Sequence, residues 1–212
     1  MEVVILPGTK QIGALAADAI EAANAANTSP EQVTFAVGDV YALDAADATY
    51  DVVHAHQVLQ HLSEPVAALR GMRRVTRPGG IVAARDGDYD SFAWAPDTPL
   101  MVRWNELYHQ ITARNRGEAN AGRYLLGWAQ QAGFTDVVAS SSTWTFADPG
   151  SRAWWGGLWA DRVQQSSFAE QAVEYGLADR AELSAIATAW RTWAEQPDGW
   201  YAVVHGEILT HA

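Results

Sequence analysis

The sequence predicts an α/β fold on two observations: short apolar or β-branched runs of strand length alternate with helical patterns, and glycine- and proline-bearing turns stand between them. Val3-Val4-Ile5-Leu6, stopped by Pro7-Gly8, reads as a buried strand. Ile12, Leu15, Ala16, Ala19, Ile20 and Ala23 then recur at helical spacing, with a stop between Asn24 and Pro30. Residues 33–37 form a second run that ends in Gly38-Asp39-Val40, and residues 50–55 form a third; both read as strands buried on two faces. Ser63 as N-cap and Pro65 in the first turn open a helix that turns Val66, Leu69, Met72 and Val75 to the core. It stops at Arg77-Pro78-Gly79-Gly80, and Ile81 to Asp86 is the next strand, so the alternation is that of right-handed crossovers in a parallel sheet.

The second half carries two more helical patterns, from Pro99 to Asn115 and from Ala121 to Ala132, the latter closed by Gly133 at a C-cap. A long strand follows from Phe134 to Phe146. Residues 148–196 are helical and aromatic, and strand-like residues 200–210 return at the end, so the helical stretch reads as a lid inserted in one 212-residue domain. All ten tryptophans lie beyond Tyr89. Most of them are expected to pack, and some to line a pocket for a flat apolar molecule.

The formal net charge of -11 leaves no basic stripe for a phosphate backbone, so nucleic acid is not an expected partner. Arg70, Arg73, Arg74 and Arg77 cluster at one helix end, where cations meet the negative end of the helix dipole. The absence of cysteine removes disulfides and thiolate chemistry. No run approaches the roughly 20 apolar residues that span a bilayer. A cytoplasmic protein with no membrane segment is the expectation.

Five local patterns, in order, resemble the class I S-adenosylmethionine-dependent methyltransferases of the ubiquinone/menaquinone-biosynthesis type. They are Gly38-Asp39-Val40, Tyr50-Asp51-Val52-Val53, Gln57-Val58-Leu59-Gln60-His61-Leu62, Arg77-Pro78-Gly79-Gly80 and Ala132-Gly133-Phe134. The resemblance implies a Rossmann-like sheet, mostly parallel with its last strand antiparallel, and a cofactor across the carboxyl ends of the strands. It implies S-adenosylmethionine as methyl donor and a small-molecule acceptor. Gly38, Asp39 and Val40 would hold the adenine, the carboxylate reading the exocyclic amine and the valine giving an apolar wall. His54, Ala55 and Gln57 would face the methionine portion. Two histidines at i and i+2, His54 and His56, point the same way on a strand, but no third ligand is evident and no metal is expected.

Residues 85–90 lie just past a strand end, where an acceptor would approach the methyl group. Methyl transfer needs the acceptor atom held in line and, for a hydroxyl or acidic carbon, a base to remove its proton, and Asp86, Asp88, Tyr89 and His109 are the candidates.

One part of the family pattern is missing. A glycine-x-glycine-x-glycine loop after the first strand should cradle the cofactor, yet Gly8 and Gly13 are the only glycines before Gly38, and Ala14 stands where the ribose-binding acid belongs. Either Val3 to Leu6 takes the central strand position with a rebuilt loop at residues 7–11, or the strand-helix unit is shortened. The second alternative leaves a sheet edge open, which predicts a homodimer through that edge.

Overall fold

The computed structural model describes residues 3–5, 25–26, 36 and 38–212. The helix expected from Ile12, the strand at residues 33–37 and the loop at residues 7–11 with Gly8, Gly13 and Ala14 fall wholly or largely outside them. The chain divides into two compact units, one of residues 1–86, 123–140 and 207–212, the other of residues 87–122 and 141–206.

In the first unit β1 (Val3–Ile5) runs parallel to β2 (Tyr50–His56), with Val3 opposite Val52 and Ile5 opposite His54. That is the neighbour expected if Val3 to Leu6 serves as a sheet strand. β2 is parallel in turn to β3 (Thr76–Gly87), from Val52 opposite Ile81 to His56 opposite Arg85. Helix α1 (Pro65–Val75) makes the crossover between them and buries Ala68, Leu69, Met72 and Val75. β2 alternates rather than being covered on both faces: Val53 and Ala55 are buried, while His54 and His56 are half-buried.

Two expected boundaries move. Glu64, not Ser63, is the N-cap of α1, and it makes no side-chain cap bond. The physical reason is Pro65, which is preorganised for the first helical position and holds the residue before it out of the helical region. The Arg77-Pro78-Gly79-Gly80 turn also belongs to β3: Gly79 donates to the Ala212 carbonyl at 3.1 Å, and Ala212 donates to that of Gly80 at 3.0 Å. The register shift between Tyr50 and Val52 takes up the extra residues. Gly79 has φ +77°, which glycine adopts without strain.

Helix α3 (Ala121–Gln131) follows helix α2 (Pro99–Arg114) and ends as expected at Gly133, whose φ is +95°. Phe134 donates back to the Ala129 carbonyl and Gly133 to that of Gln130. The arginine cluster acts across elements more than along its own helix. Arg70 donates to the Gln131 carbonyl and Arg73 to that of Gly133, so both satisfy open carbonyls beyond the last turn of α3. Arg74 reaches the carbonyls of Leu43 and Ala45 and the Asp47 carboxylate, each at 2.8 Å. Arg77 pairs with Asp51.

The fork of Arg74 has no equivalent in a lysine, whose three donors radiate from a single nitrogen and cannot span the same acceptors from two. Arg74→Lys is expected to lower stability by about 1 kcal/mol, the net worth of the lost hydrogen bonds. Urea unfolding of the two proteins checks it, and equal midpoints would contradict it.

In the second unit β4 (Ala93–Ala95) pairs antiparallel with β6 (Trp200–His211), Ala93 opposite Ala202 and Ala95 opposite Trp200. β5 (Val138–Phe146) also pairs with β6, and begins at Val138 rather than Phe134, whose ring is buried in the core of the first unit. Helices α4 (Pro149–Gln165), α5 (Ser167–Glu174) and α6 (Arg180–Glu195) fill residues 148–196. Their starts are written in the sequence: Asp148, Ser166 and Asp179 each accept a backbone N–H from the first turn they cap.

The tryptophans mostly pack. Trp104, Trp155, Trp159, Trp190 and Trp193 are buried with Tyr201, and Trp104 meets Trp159 and Trp190 edge to face at 4.5 and 4.9 Å between centroids. Trp154 and Trp200 are the counterexamples, at 59% and 40% exposed.

Candidate functional site

The loop after the unseen second run is built as a turn. Asp39 is exposed, its carboxylate accepts the Tyr41 N–H at 2.9 Å, and its carbonyl accepts that of Ala42. This is an Asx turn, which fixes where the carboxylate stands while leaving its second oxygen without a bond among the described residues. Gly38 is open, with nothing within 4 Å of an added Cβ. Val40 is 2% exposed and packs in the core of the first unit, so its side chain serves the fold there. A Cβ added at Gly71 of α1 would stand 3.5 Å from the Val40 carbonyl oxygen, an ordinary van der Waals contact.

At the carboxyl end of β2 the His54 and His56 rings lie on one face, 6.1 Å apart and nearly parallel. Burial lowers the pKa of both, and the Arg85 guanidinium lowers it further. Both rings are therefore held neutral more strongly than in water. Ala55 is fully buried between them. Gln57 then takes φ +53°, unusual for a residue with a side chain, and donates its N–H to the Arg85 carbonyl at 2.7 Å. That bend starts the 3-10 turn Leu59–His61.

Asp86 stands behind this turn. One oxygen accepts the Gln60 N–H at 3.0 Å, while Oδ2 is buried with no partner among the described residues. The residue is 0% exposed, and burial pushes its pKa up to about 7 against the pull of the Gln60 and Leu59 amides. The sequence places Asp86 on an open strand end; the structure encloses it, because β3 continues through Gly87 and period two puts Asp86 on the face of buried Val82 and Ala84. Asp88 and Tyr89, expected at the same opening, are buried as well.

Asp88, Tyr89 and His109 belong to the second unit. Asp88 donates its N–H to the Val204 carbonyl and Tyr89 donates to that of Ala119. The Tyr89 ring stacks on Tyr108 at 3.7 Å, and burial raises its pKa well above 10, so its hydroxyl stays protonated. His109, on α2, points Nε2 to within 3.1 Å of Asp90 Oδ1 and meets the Tyr89 ring edge-on. Two residues absent from the expected set complete this group. Asn120 Nδ2 donates to Asp90 Oδ2 at 2.6 Å, and Asp90 donates its N–H to Asn120 Oδ1 at 2.9 Å.

Asp39, the β2 end and Asp86 thus gather in the first unit, while Asp88, Tyr89 and His109 gather in the second. Among the described residues no group of three histidines or acids has the makings of a metal site, and no helix is long and apolar enough to cross a membrane.

A family model described as "Methyltransferase domain" matches residues 14–84, a span that holds four of the five sequence patterns. "Uncharacterized methyltransferase C1B3.06c" of Schizosaccharomyces pombe is 34% identical over 185 residues, covering 83% of this chain and 63% of that protein. "Probable methyltransferase ltbC" of Aspergillus luteorubrus is 26% identical over 202 residues, 90% of this chain and 70% of that protein. The chain therefore spans about two thirds of the length of these relatives. A crystal structure from Anabaena variabilis ATCC 29413, with a provisional methyltransferase name from an antibiotic biosynthesis pathway, superposes with a TM-score of 0.51 at 14% identity. It covers 96% of this chain and 89% of that one, and shares the fold.

Proposed function

We propose, from the match of residues 14–84 to a methyltransferase family model and from the methyltransferase relatives, that the chain is a class I S-adenosylmethionine-dependent methyltransferase that moves a methyl group to a small, aromatic or apolar acceptor. The observation that carries the reading is the Asp39 turn. An exposed carboxylate, fixed by its own backbone and with one oxygen unbonded among the described residues, fits the exocyclic amine of adenine. Gly38 leaves room beside it. Ala55 and the strained Gln57 bend would shape the backbone for the methionine portion, with His54 neutral alongside. When bound, S-adenosylmethionine supplies an electrophilic methyl group on sulfur.

The chain's own residues then hold the acceptor and take its proton, the part assigned to Asp86, Asp88, Tyr89 and His109. Helices α4 to α6 are proposed as the lid over the acceptor, and the tryptophan-rich packing of that unit supports an apolar one. A cytoplasmic homodimer through the sheet edge that the sequence predicts belongs to the same reading.

Asp39→Ala is expected to weaken S-adenosylmethionine binding about tenfold, the worth of one charge-assisted hydrogen bond. Titration calorimetry measures it, and a labelled-methyl assay on a panel of small aromatic acceptors measures transfer. The second reading is a methyltransferase-like protein without catalysis. It is favoured by the sequence before Gly38, where Gly8 and Gly13 are the only glycines. A wild-type protein that neither binds the donor nor labels any acceptor establishes it.

A further inference from the structure

We propose that Tyr41 is a positioning residue for the donor's adenine: its hydroxyl, docked on the start of α1, holds the Asp39 turn so that the carboxylate is presented to the exocyclic amine. The proposal rests on the methyl-transfer reading above, which uses the Asp39 turn alone, and adds to it the residue that makes the turn selective.

The contacts that carry it all lie within the first unit. The Asp39 carboxylate accepts the Tyr41 N–H at 2.9 Å, so Asp39 Oδ1 stands wherever the Tyr41 backbone stands. The Tyr41 hydroxyl accepts the Glu64 N–H at 3.1 Å and lies 3.5 Å from Ser63 Oγ. Near the other end of α1, Arg74 holds the carbonyls of Leu43 and Ala45. Between these two grips, a Cβ added at Gly71 would reach ordinary contact with the Val40 carbonyl oxygen, so the loop lies along the helix. Eleven helical residues are about 16 Å long, which makes this a mount at two separated points and not a hinge.

The need for a tyrosine follows from the helix start. An N-cap residue has an N–H of its own to satisfy, and in a capping box a Glu or Gln at the third helical position reaches back to it. Glu64 is the N-cap of α1, and the third helical position is Ala67, which has nothing to reach with. Tyr41 supplies the missing acceptor from another part of the chain. Its oxygen sits on a rigid ring with few torsions, so little freedom is lost in holding it there. One residue thus joins the helix start, through its side chain, to the Asp39 carboxylate, through its backbone.

An exposed carboxylate recognises an amine best if it is already in place, because ordering it at the moment of binding is subtracted from the affinity. Asp39 is exposed, and a single turn hydrogen bond in water has a small net worth. Docking on α1 makes that turn part of a fixed surface. The resulting selectivity is chemical: an amine donates to the carboxylate, whereas a ring oxygen in its place would set two acceptors against each other. Tyr41 is therefore expected to govern the choice between adenine and hypoxanthine, which differ at that position.

Titration calorimetry with S-adenosylhomocysteine and S-inosylhomocysteine tests it on wild type, Tyr41→Phe, Asp39→Ala and the double variant. Phenylalanine keeps the ring and removes only the acceptor oxygen. The wild type is expected to prefer the adenosyl ligand at least about tenfold, the worth of one good hydrogen bond. Tyr41→Phe should lower that preference about fivefold by weakening the adenosyl ligand, with the inosyl ligand within about twofold of wild type. In the Asp39→Ala background the same substitution should change neither ligand by more than about twofold, because no carboxylate is left to position. Amide exchange without ligand gives a second readout: the N–H groups of residues 41, 42 and 64 should all exchange faster in Tyr41→Phe. Equal losses for both ligands, an unchanged preference, an equal effect with and without Asp39, or release of the residue 64 amide alone would each overturn the proposal and leave the donor site standing. A wild type that binds neither ligand, or binds both alike, overturns the reading of Asp39 on which the proposal rests.

Discussion

Asp86→Asn is expected to make the protein more stable at pH 8 by about 2–3 kcal/mol, and less stable near pH 4 by about 1–2 kcal/mol. The sign follows from burial. The folded carboxyl titrates near 7, against an ordinary value of 3.8, so the folded state holds its proton over a range in which the unfolded chain has released it. Stability is thus full below about pH 4, falls as pH rises through the interval, and is lowest above pH 7. The linkage amounts to about 4 kcal/mol across that interval. An asparagine has no charge to bury and its amide oxygen can still accept the Gln60 N–H. Its amide hydrogens would take the place of Oδ2, which has no partner among the described residues, and that costs about 1–2 kcal/mol at every pH, the usual cost of an unpaired donor. Chemical unfolding at pH 4, 6 and 8 measures the difference between the two proteins. A gap that stays constant with pH would sink the prediction.

A destabilising carboxyl held at the end of β3 is itself informative, because strain of this kind is concentrated at functional sites. Asp86 pins the Leu59–His61 turn through its backbone, and that turn follows the left-handed Gln57 at the end of β2. In the structure it therefore positions the loop, and Asp86→Asn, which keeps the acceptor oxygen, is expected to keep the loop in place.

The parts of the fold that obey local rules were legible in the sequence. Residues 50–55 and 81–86 announce strands by their β-branched and alanine runs, and the caps Asp148 and Asp179 mark where helices begin. β4 was not legible: Ala93-Trp94-Ala95 is three residues without a β-branched side chain, and only its pairing with Ala202 to Trp200 makes it a strand. The site divides in the same way. Asp39 was readable from its motif. The burial of Asp86 could have been found from the alternation of Val82, Ala84 and Asp86, whereas the sequence around Arg85 to Asp90 gives the look of an exposed acidic loop. The Asn120 clamp had no local signal at all, since Asp90 and Asn120 meet only after α2 and the turn behind it have folded. Long-range polar pairs leave no periodicity to read.

Gly206→Ala is expected to lower stability by about 4 kcal/mol, which for a chain of this size corresponds to a fall in Tm of about 10 °C. A methyl group on Gly206 would stand 2.7 Å from Gly122 Cα and nearer still to the Gly122 carbonyl. These are backbone atoms, so no side-chain rotation can make room; β6 and the start of α3 must separate. Two glycines face each other there because nothing larger fits between strand and helix. Gly127, one and a half turns further along α3, is the control: an added Cβ meets nothing within 4 Å. Gly127→Ala should raise stability by about 0.5–1 kcal/mol through helix propensity. The effect of Gly206→Ala should also reach the site, because the Val204 carbonyl two residues earlier accepts the Asp88 N–H at 3.0 Å, and Asp88 leads into the turn that carries Asp90. Thermal melts of the two alanine variants, compared with the wild type, decide it: opposite signs are required, and a Gly206→Ala protein as stable as the wild type would show that the strand and helix are not in contact at this point.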